Sequence, residues 1–275
     1  VKDLLKRVVV SSIFIPILVG LLLFALDPYF QYVVVAIIAL LASVAVWEYE
    51  QLAKAKGART HSNVLIFFTI ALVLSFFLSV KDPLFIFFPL IVFFVAFLLL
   101  FTLHFKEKEG AVMDLASSSF ALLYVAVPMG MILGILYLPK VDGRFWLAYL
   151  LTVTKITDIG GYFAGSLYGR HKLAPLISPK KTIEGAVFGL VCAVGSSLLF
   201  HFISPMQLGM LECVVLGLLL SIMGQFGDLA ESLLKRDANK KDSNQLPGLG
   251  GILDALDSLL LNAALLYIYL TYLKP

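Results

Sequence analysis

Apolar runs of roughly 18 to 22 residues recur along almost the whole chain, and a chain of this kind has one environment open to it. As a helix, such a run covers about 30 Å of hydrocarbon, where every backbone N–H and C=O must be paired within the segment. Nine runs are present, near 8–26, 30–48, 63–80, 84–104, 117–138, 145–166, 183–204, 208–227 and 252–273. With 60% hydrophobic and only 14% charged residues, an ordinary soluble domain is excluded. The expected fold class is an all-α polytopic membrane protein of about nine transmembrane helices. The run at 8–26 follows Lys2, Lys6 and Arg7, as a secretory signal would, but its length and the lack of a small-residue cleavage site read as the first span.

The basic residues orient these spans. With the N-terminus in the cytoplasm, 16 of the 21 Lys and Arg residues fall in cytoplasmic loops; only Lys81, Lys140, Arg144 and Lys274 fall outside, and Lys155 lies within a span. Short loops rich in Lys and Arg stay cytoplasmic, so the N-terminus is expected inside and the C-terminus outside. The net charge of +3 says little by itself about partners, and nothing in the pattern points to nucleic acid.

The first four spans, dominated by Phe and Leu, read as a lipid-facing scaffold. Trp47, Tyr49, Trp146 and Tyr149 lie near span ends, as interfacial anchors do. His61, His104 and His201 are expected singly at span edges, and Cys192 and Cys213 as inert thiols in apolar runs.

From residue 150 the character changes. Span six, LTVTKITDIGGYFAGSLYGR, carries Lys155 and Asp158 three residues apart, and ionisable groups inside a span mark a functional interior or a structural ion pair. Gly160, Gly161 and Gly165 permit close helix approach. In the following loop, Ser178 and Pro179 read as an N-cap and first-turn pair, which would place Lys180, Lys181 and Thr182 on the first turn of span seven. A helix N-terminus with two lysines and a hydroxyl suits a phosphate, and Glu184 would lie one turn further in.

The densest charge lies in GQFGDLAESLLKRDANKKDSNQLPGLGGILDALDSLL, residues 224–260. On helices, Asp228 and Glu231 share one face, as do Asp254 and Asp257, so two carboxylate-bearing helix ends would be joined by a basic, glycine-containing loop. Hard carboxylate oxygens beside lysines suit Mg²⁺ shared with substrate phosphates. The sequence contains no GxxxxGK[ST], HExxH or GxSxG motif and no evident internal repeat.

SPKKTIEG at 178–185, TDIGGYFAG before it, and KRDANKKDSNQLPGLGGILDALDS at 235–258 together resemble the phosphatidate cytidylyltransferases, also called CDP-diacylglycerol synthases. The resemblance covers roughly residues 150–262, with both motifs in the family's order and separation. It implies transfer of a cytidylyl group from CTP to phosphatidic acid with Mg²⁺, giving CDP-diacylglycerol and pyrophosphate for phospholipid biosynthesis. By the same resemblance, Ser178, Lys180, Lys181, Thr182 and Glu184 belong to the first motif. Lys235, Arg236, Lys241, Asp242, Gly250, Gly251, Asp254 and Asp257 belong to the second, with Asp228 just upstream. The implied catalytic residues are Lys181, Asp228, Asp254 and Asp257, and the cation would fall to the three aspartates. The others would bind the nucleotide. Four departures from the family pattern stand out: Leu249 where His is usual, Ala255 and Ser166 where Arg is usual, and one residue fewer between Asp242 and Pro247.

Residues 1–140 are thus expected as a transmembrane scaffold and 141–275 as the catalytic region, with cytoplasmic loops 166–182 and 228–251. A bacterial-type inner membrane is the expected location, and a homo-oligomer is left open. Two other readings of the same charges remain at this point: a CTP-dependent lipid or polyprenol kinase, and a secondary transporter with intramembrane carboxylates.

Overall fold

The computed structural model describes residues 16–105, 109–139, 141–244 and 250–274. Residues 16–24 are helical (α1). There follow α2 (Phe30–Ala55), α3 (Ser62–Lys81), a short turn at Pro83–Phe85, α4 (Phe88–His104) and α5 (Ala111–Ala121). A wider π turn at Leu122–Ala126 carries α5 into α6 (Val127–Leu136); Pro128, just beyond it, has no N–H for the carbonyl of Tyr124. The second half holds α7 (Gly143–Tyr168), a hairpin of β1 (Lys172–Ala174) and β2 (Ser178–Thr182), α8 (Ile183–Ile203), α9 (Met210–Asp237) and α10 (Ile252–Ile268).

Among the described residues, seven helical segments are long and apolar enough to cross a membrane: α2, α3, Pro83–His104, Ala111–Leu136, α8, α9 and Ile252–Leu273. α7 is also 26 residues long, but Lys155, Asp158 and its glycines keep it out of that set. Part of the expected first span, residues 8–15, lies outside the described residues. α4 explains the class: Leu90, Ile91, Phe94 and Leu98 are all exposed, a continuous apolar face that water would oppose and acyl chains accept. The chain is a multi-pass integral membrane protein.

Two compact units divide the chain. The first contains α1–α6 and Asp237–Ala255; the second contains α7, the hairpin, α8, α9 as far as Arg236, and α10 from Leu256. In the first unit α3 packs on α2, α4 and α6, burying Ala42, Val46, Leu65, Leu72, Leu100 and Leu133. Its interior is more polar than the run of Phe and Leu implies. Glu50 is fully buried and accepts hydrogen bonds from Thr60 Oγ1 at 2.5 Å and Ser62 Oγ at 2.6 Å, with Lys54 Nζ 2.8 Å away. Asp114 is buried too, accepting from Arg59 N at 2.6 Å, and lies 3.7 Å from His104 Nε2. His104 donates from Nδ1 to Leu100 O at 2.8 Å, and its ring meets that of His61 at 5.5 Å. These two histidines are therefore partners and not isolated edge residues.

In the second unit, small residues set the helix spacing. A Cβ on Gly160 would fall 2.7 Å from Cys192 Sγ, one on Gly185 2.6 Å from Gly161 O, and one on Gly189 3.0 Å from Thr157 O, so α7 and α8 approach backbone to backbone. α9 and α10 do the same where Gly227 faces Asp257 O and Gly224 faces Asn262. Buried polar groups here are matched across helices: Asn262 Nδ2 donates to Thr154 Oγ1 at 2.8 Å, Tyr149 OH pairs with Ser197 Oγ at 2.7 Å, and Ser197 donates to Cys213 O at 2.7 Å. Trp146, Tyr149 and Tyr49 are buried, so of the four expected interfacial aromatics only Trp47 is exposed. Aromatic rings at span ends fill helix junctions as readily as they anchor in headgroups; Lys274 Nζ stands 4.8 Å from the centre of the Trp146 ring.

Candidate active site

The hairpin decides the site. Residues 178–182 form β2 and not the first turn of a helix, which corrects the expected N-cap at Ser178. β2 pairs antiparallel with β1, Lys172 opposite Thr182 and Ala174 opposite Ser178. The helix start is set at Ile183 instead, because Thr182, with extended backbone, accepts Gly185 N on its side chain at 3.2 Å. Glu184 then gathers Arg170 N at 3.1 Å, His171 N at 3.2 Å and His171 Nδ1 at 2.7 Å, while Ile183 N donates to His171 O at 2.9 Å. The sequence offered Ser178 as a cap; the strand partner and Glu184 outweigh it. Along β2, Lys180 is exposed, Lys181 half-buried and Thr182 buried.

Lys181 turns toward a cleft of about 500 Å³ within the second unit. α7 lines it with Thr157, Asp158, Gly161, Tyr162, Gly165 and Ser166, the hairpin with Lys172, Leu173 and Lys180–Thr182, and α8 and α9 with Gly185, Ala186, Gln225 and Asp228. Lys181 Nζ lies 2.6 Å from Asp228 Oδ2, joining strand to helix. Asp158 lies 3.8 Å from Lys155 Nζ and accepts from Ser258 Oγ at 3.3 Å. Asp257 lies in the combined field of Asp228 and Asp158. Three carboxylates therefore gather beside four lysines, Lys155, Lys172, Lys180 and Lys181, a composition that can hold a polyanion together with a divalent cation.

Among the described residues no three His, Cys, Asp or Glu side chains gather closely enough to hold a metal on their own. Mg²⁺ commonly takes one or two carboxylates and completes its shell with water and substrate phosphate oxygens, and Asp158 and Asp228 line the cleft.

The second motif begins on α9. Lys235 pairs with Glu231, which is fully buried, and Arg236 Nε donates to Ile177 O at 3.2 Å. Ser178 likewise serves the hairpin, and neither it nor Glu184, Lys235 or Arg236 lines the cleft. Lys241, Asp242, Gly250, Gly251 and Asp254 belong to the first unit. There Lys241 and Asp242 line a cleft of about 510 Å³ with Trp47, Gln51, Lys240, Ser243 and Asn244. Asp254 accepts from Ser243 N at 3.0 Å. Gly250 has φ +80, and a Cβ on Gly251 would fall 1.8 Å from Ser243 Oγ and 2.6 Å from Glu48 Oε2, so neither position admits a side chain. Of the departures from the family pattern, Ser166 lines the α7 cleft and Ala255 donates its N–H to Gly251 O, whereas Leu249 lies outside the described residues.

Sequence reasoning missed Glu48, Thr157, Lys172 and Gln225. A signal existed for Gln225, an amide inside an apolar helix, which here donates to Ala186 O at 3.2 Å. Glu48, in WEYEQ at the end of α2, was passed over because the run before it reads as scaffold.

Residues 5–273 match the model of the cytidylyltransferase family. The chain is 36% identical over 286 residues to the phosphatidate cytidylyltransferase of Chlamydia pneumoniae, covering 98% of this chain and 92% of that protein. It is 37% identical over 179 residues to that of Staphylococcus haemolyticus, covering 64% of this chain and 66% of the other. The phosphatidate cytidylyltransferase of Bacillus subtilis is 43% identical over 129 residues, 46% of this chain and 48% of that protein. With a match along nearly its whole length, the chain belongs to the cytidylyltransferase family.

Proposed function

We propose that this chain transfers the cytidylyl group of CTP to phosphatidic acid, giving CDP-diacylglycerol and pyrophosphate, and that the reacting phosphates occupy the cleft between the hairpin and α9. The observation that carries the reading is the Lys181–Asp228 pair, 2.6 Å apart in a cleft also lined by Lys172, Lys180 and Asp158. Cation and carboxylate side by side serve two anions that repel each other: the lysine binds phosphate oxygens directly, and the carboxylate binds the ion that screens them.

A phosphatidate phosphate oxygen attacks the α-phosphorus of CTP. The new P–O bond forms as the bond to the bridging oxygen breaks, and pyrophosphate leaves with the electron pair. Phosphate is already ionised at neutral pH, so no general base is required, and catalysis is mainly positioning and charge stabilisation. Lys181 and Lys180 hold the phosphate oxygens as charge moves to the leaving group. Thr182 caps α8 and fixes the strand that presents both lysines. Asp228 and Asp257 would hold Mg²⁺, which would neutralise phosphate charge, and by the family signature alone Asp254 would serve the cation too. The signature residues Lys241 and Asp242 bind the nucleotide.

The exposed apolar faces and the excess of basic residues in alternate loops support nine spans with the N-terminus in the cytoplasm. CTP then reaches the cleft from the cytoplasm, and the diacyl substrate enters from the leaflet past Tyr162, which lines the cleft and is exposed. The bacterial relatives support an inner-membrane location.

The test is pyrophosphate release by the purified chain in detergent with CTP, Mg²⁺ and phosphatidic acid. Release that requires all three, and that is lost in Asp228→Ala, supports the reading. Release of CDP instead would establish a kinase. CTP binding without any product would place the acceptor elsewhere.

A further inference from the structure

α10 begins GGILD, with no Ser, Thr, Asp or Asn at the positions that normally cap a helix, so its first N–H groups need a partner from elsewhere in the fold. Glu48 supplies it. Its Oε1 accepts from Ile252 N at 3.1 Å and from Asn244 Nδ2 at 3.0 Å; its Oε2 accepts from Leu253 N at 2.8 Å and from Ser243 Oγ at 2.9 Å. The carboxylate is completely buried, 0% exposed. A buried charge is costly unless its lone pairs are filled, and here four donors fill them, two from a helix N-terminus where negative charge is favoured. All four donors belong to the signature loop or to the first turn of α10. Ser243 also donates its backbone N–H to Asp254, so Glu48 and Asp254 grip one residue from its two ends. Gly251 has no Cβ because Ser243 Oγ and Glu48 Oε2 occupy its place.

We propose that Glu48 is a positioning residue for cytidylyl transfer: by capping α10 and holding Ser243 and Asn244, it sets the orientation of Asp254 and of the neighbouring Lys241 and Asp242. The inference rests on the reading above, in which Asp254 serves the cation and Lys241 and Asp242 serve the nucleotide. A Gln at this position has the same shape and keeps one acceptor oxygen, but its NH₂ faces a backbone N–H of α10 that requires an acceptor, so half of the cap is lost and the loop loosened. Glu48 touches no substrate in this arrangement; its effect passes through the loop.

The experiment is steady-state kinetics on the full chain in detergent, comparing wild type, Glu48→Gln and Asp254→Ala, with helical circular dichroism and elution profile as the check on folding. For folded Glu48→Gln the expected result is a fall of about tenfold or more in kcat/KM for CTP and a rise of similar size in the Mg²⁺ needed for half activity, with the KM for phosphatidic acid within about twofold of wild type. Unchanged CTP and Mg²⁺ parameters in a folded protein overturn the proposal. So does an equal loss in CTP and phosphatidic acid parameters, which would mark a general structural role. Should Glu48→Gln fail to fold, Asn244→Ala and Ser243→Ala, each removing one donor, decide the matter: a smaller shift in the same two parameters supports the proposal, and wild-type values overturn it. Full activity in Asp254→Ala would instead remove the reading on which the inference rests, whatever Glu48→Gln does.

Discussion

Replacing Lys181 with Met separates what the Lys181–Asp228 pair does for folding from what it does for turnover. The side chains are 26% and 32% exposed and their charged atoms 2.6 Å apart. A pair so open to solvent stabilises the fold by no more than about 1 kcal/mol, because water competes for both charges and the lysine loses side-chain entropy. Met keeps most of the aliphatic stem and its packing, so melting of Lys181→Met should fall by only a few degrees, about what 1 kcal/mol implies for a chain of this size. The loss in rate should be far larger. A cation facing the phosphate oxygens stabilises charge that develops only in the transition state, and removing one such donor costs about 2.7–4 kcal/mol, or roughly 100- to 1,000-fold in kcat. The assay is pyrophosphate release at saturating CTP and phosphatidic acid, with a thermal scan of the same preparation. Turnover within about tenfold of wild type, with an unchanged melting profile, would refute the role of Lys181 in charge stabilisation. A large drop in melting temperature would refute the premise that the pair is a minor structural element.

Gly185→Ala places a Cβ 2.6 Å from Gly161 O and 3.1 Å from Gly165 Cα, backbone atoms that cannot swing aside. It should destabilise the chain by about 1–3 kcal/mol by forcing α7 from α8, seen as a lower melting temperature; an unchanged melt would mean the two helices have room to spare. Thr182→Ala removes the cap of α8 and should cost about 1 kcal/mol, with Thr182→Ser restoring most of it, again read by thermal scan. Chelating Mg²⁺ should abolish pyrophosphate release reversibly while leaving helical circular dichroism unchanged; full turnover after exhaustive chelation would count against a divalent cation held by Asp228 and Asp257.

The parts of this protein that depend on local sequence were legible without its structure. Hydrophobic run length sets which segments enter lipid, since the backbone must pair internally there whatever surrounds it, and most helices lie where the runs do. The two motifs pointed to the family, and the clustered charges of 228–257 marked a candidate site, because carboxylates and lysines are tolerated in so apolar a chain only where they act or pair. The glycines of α7 and α8 read as contact points for the same local reason: a missing side chain is visible in the sequence. What only the tertiary structure decided are the partners of groups far apart in the chain. Ser178–Thr182 became a strand because β1 and Glu184 supplied hydrogen bonds that outweigh a local cap. Lys181 met Asp228, and Thr154 met Asn262, across helices. Glu48, placed in a scaffold span by its neighbours, is the cap of a helix that starts some two hundred residues later. A buried charge reveals nothing about its partners from its own neighbours in sequence, because its stability depends on donors that only the folded chain brings to it.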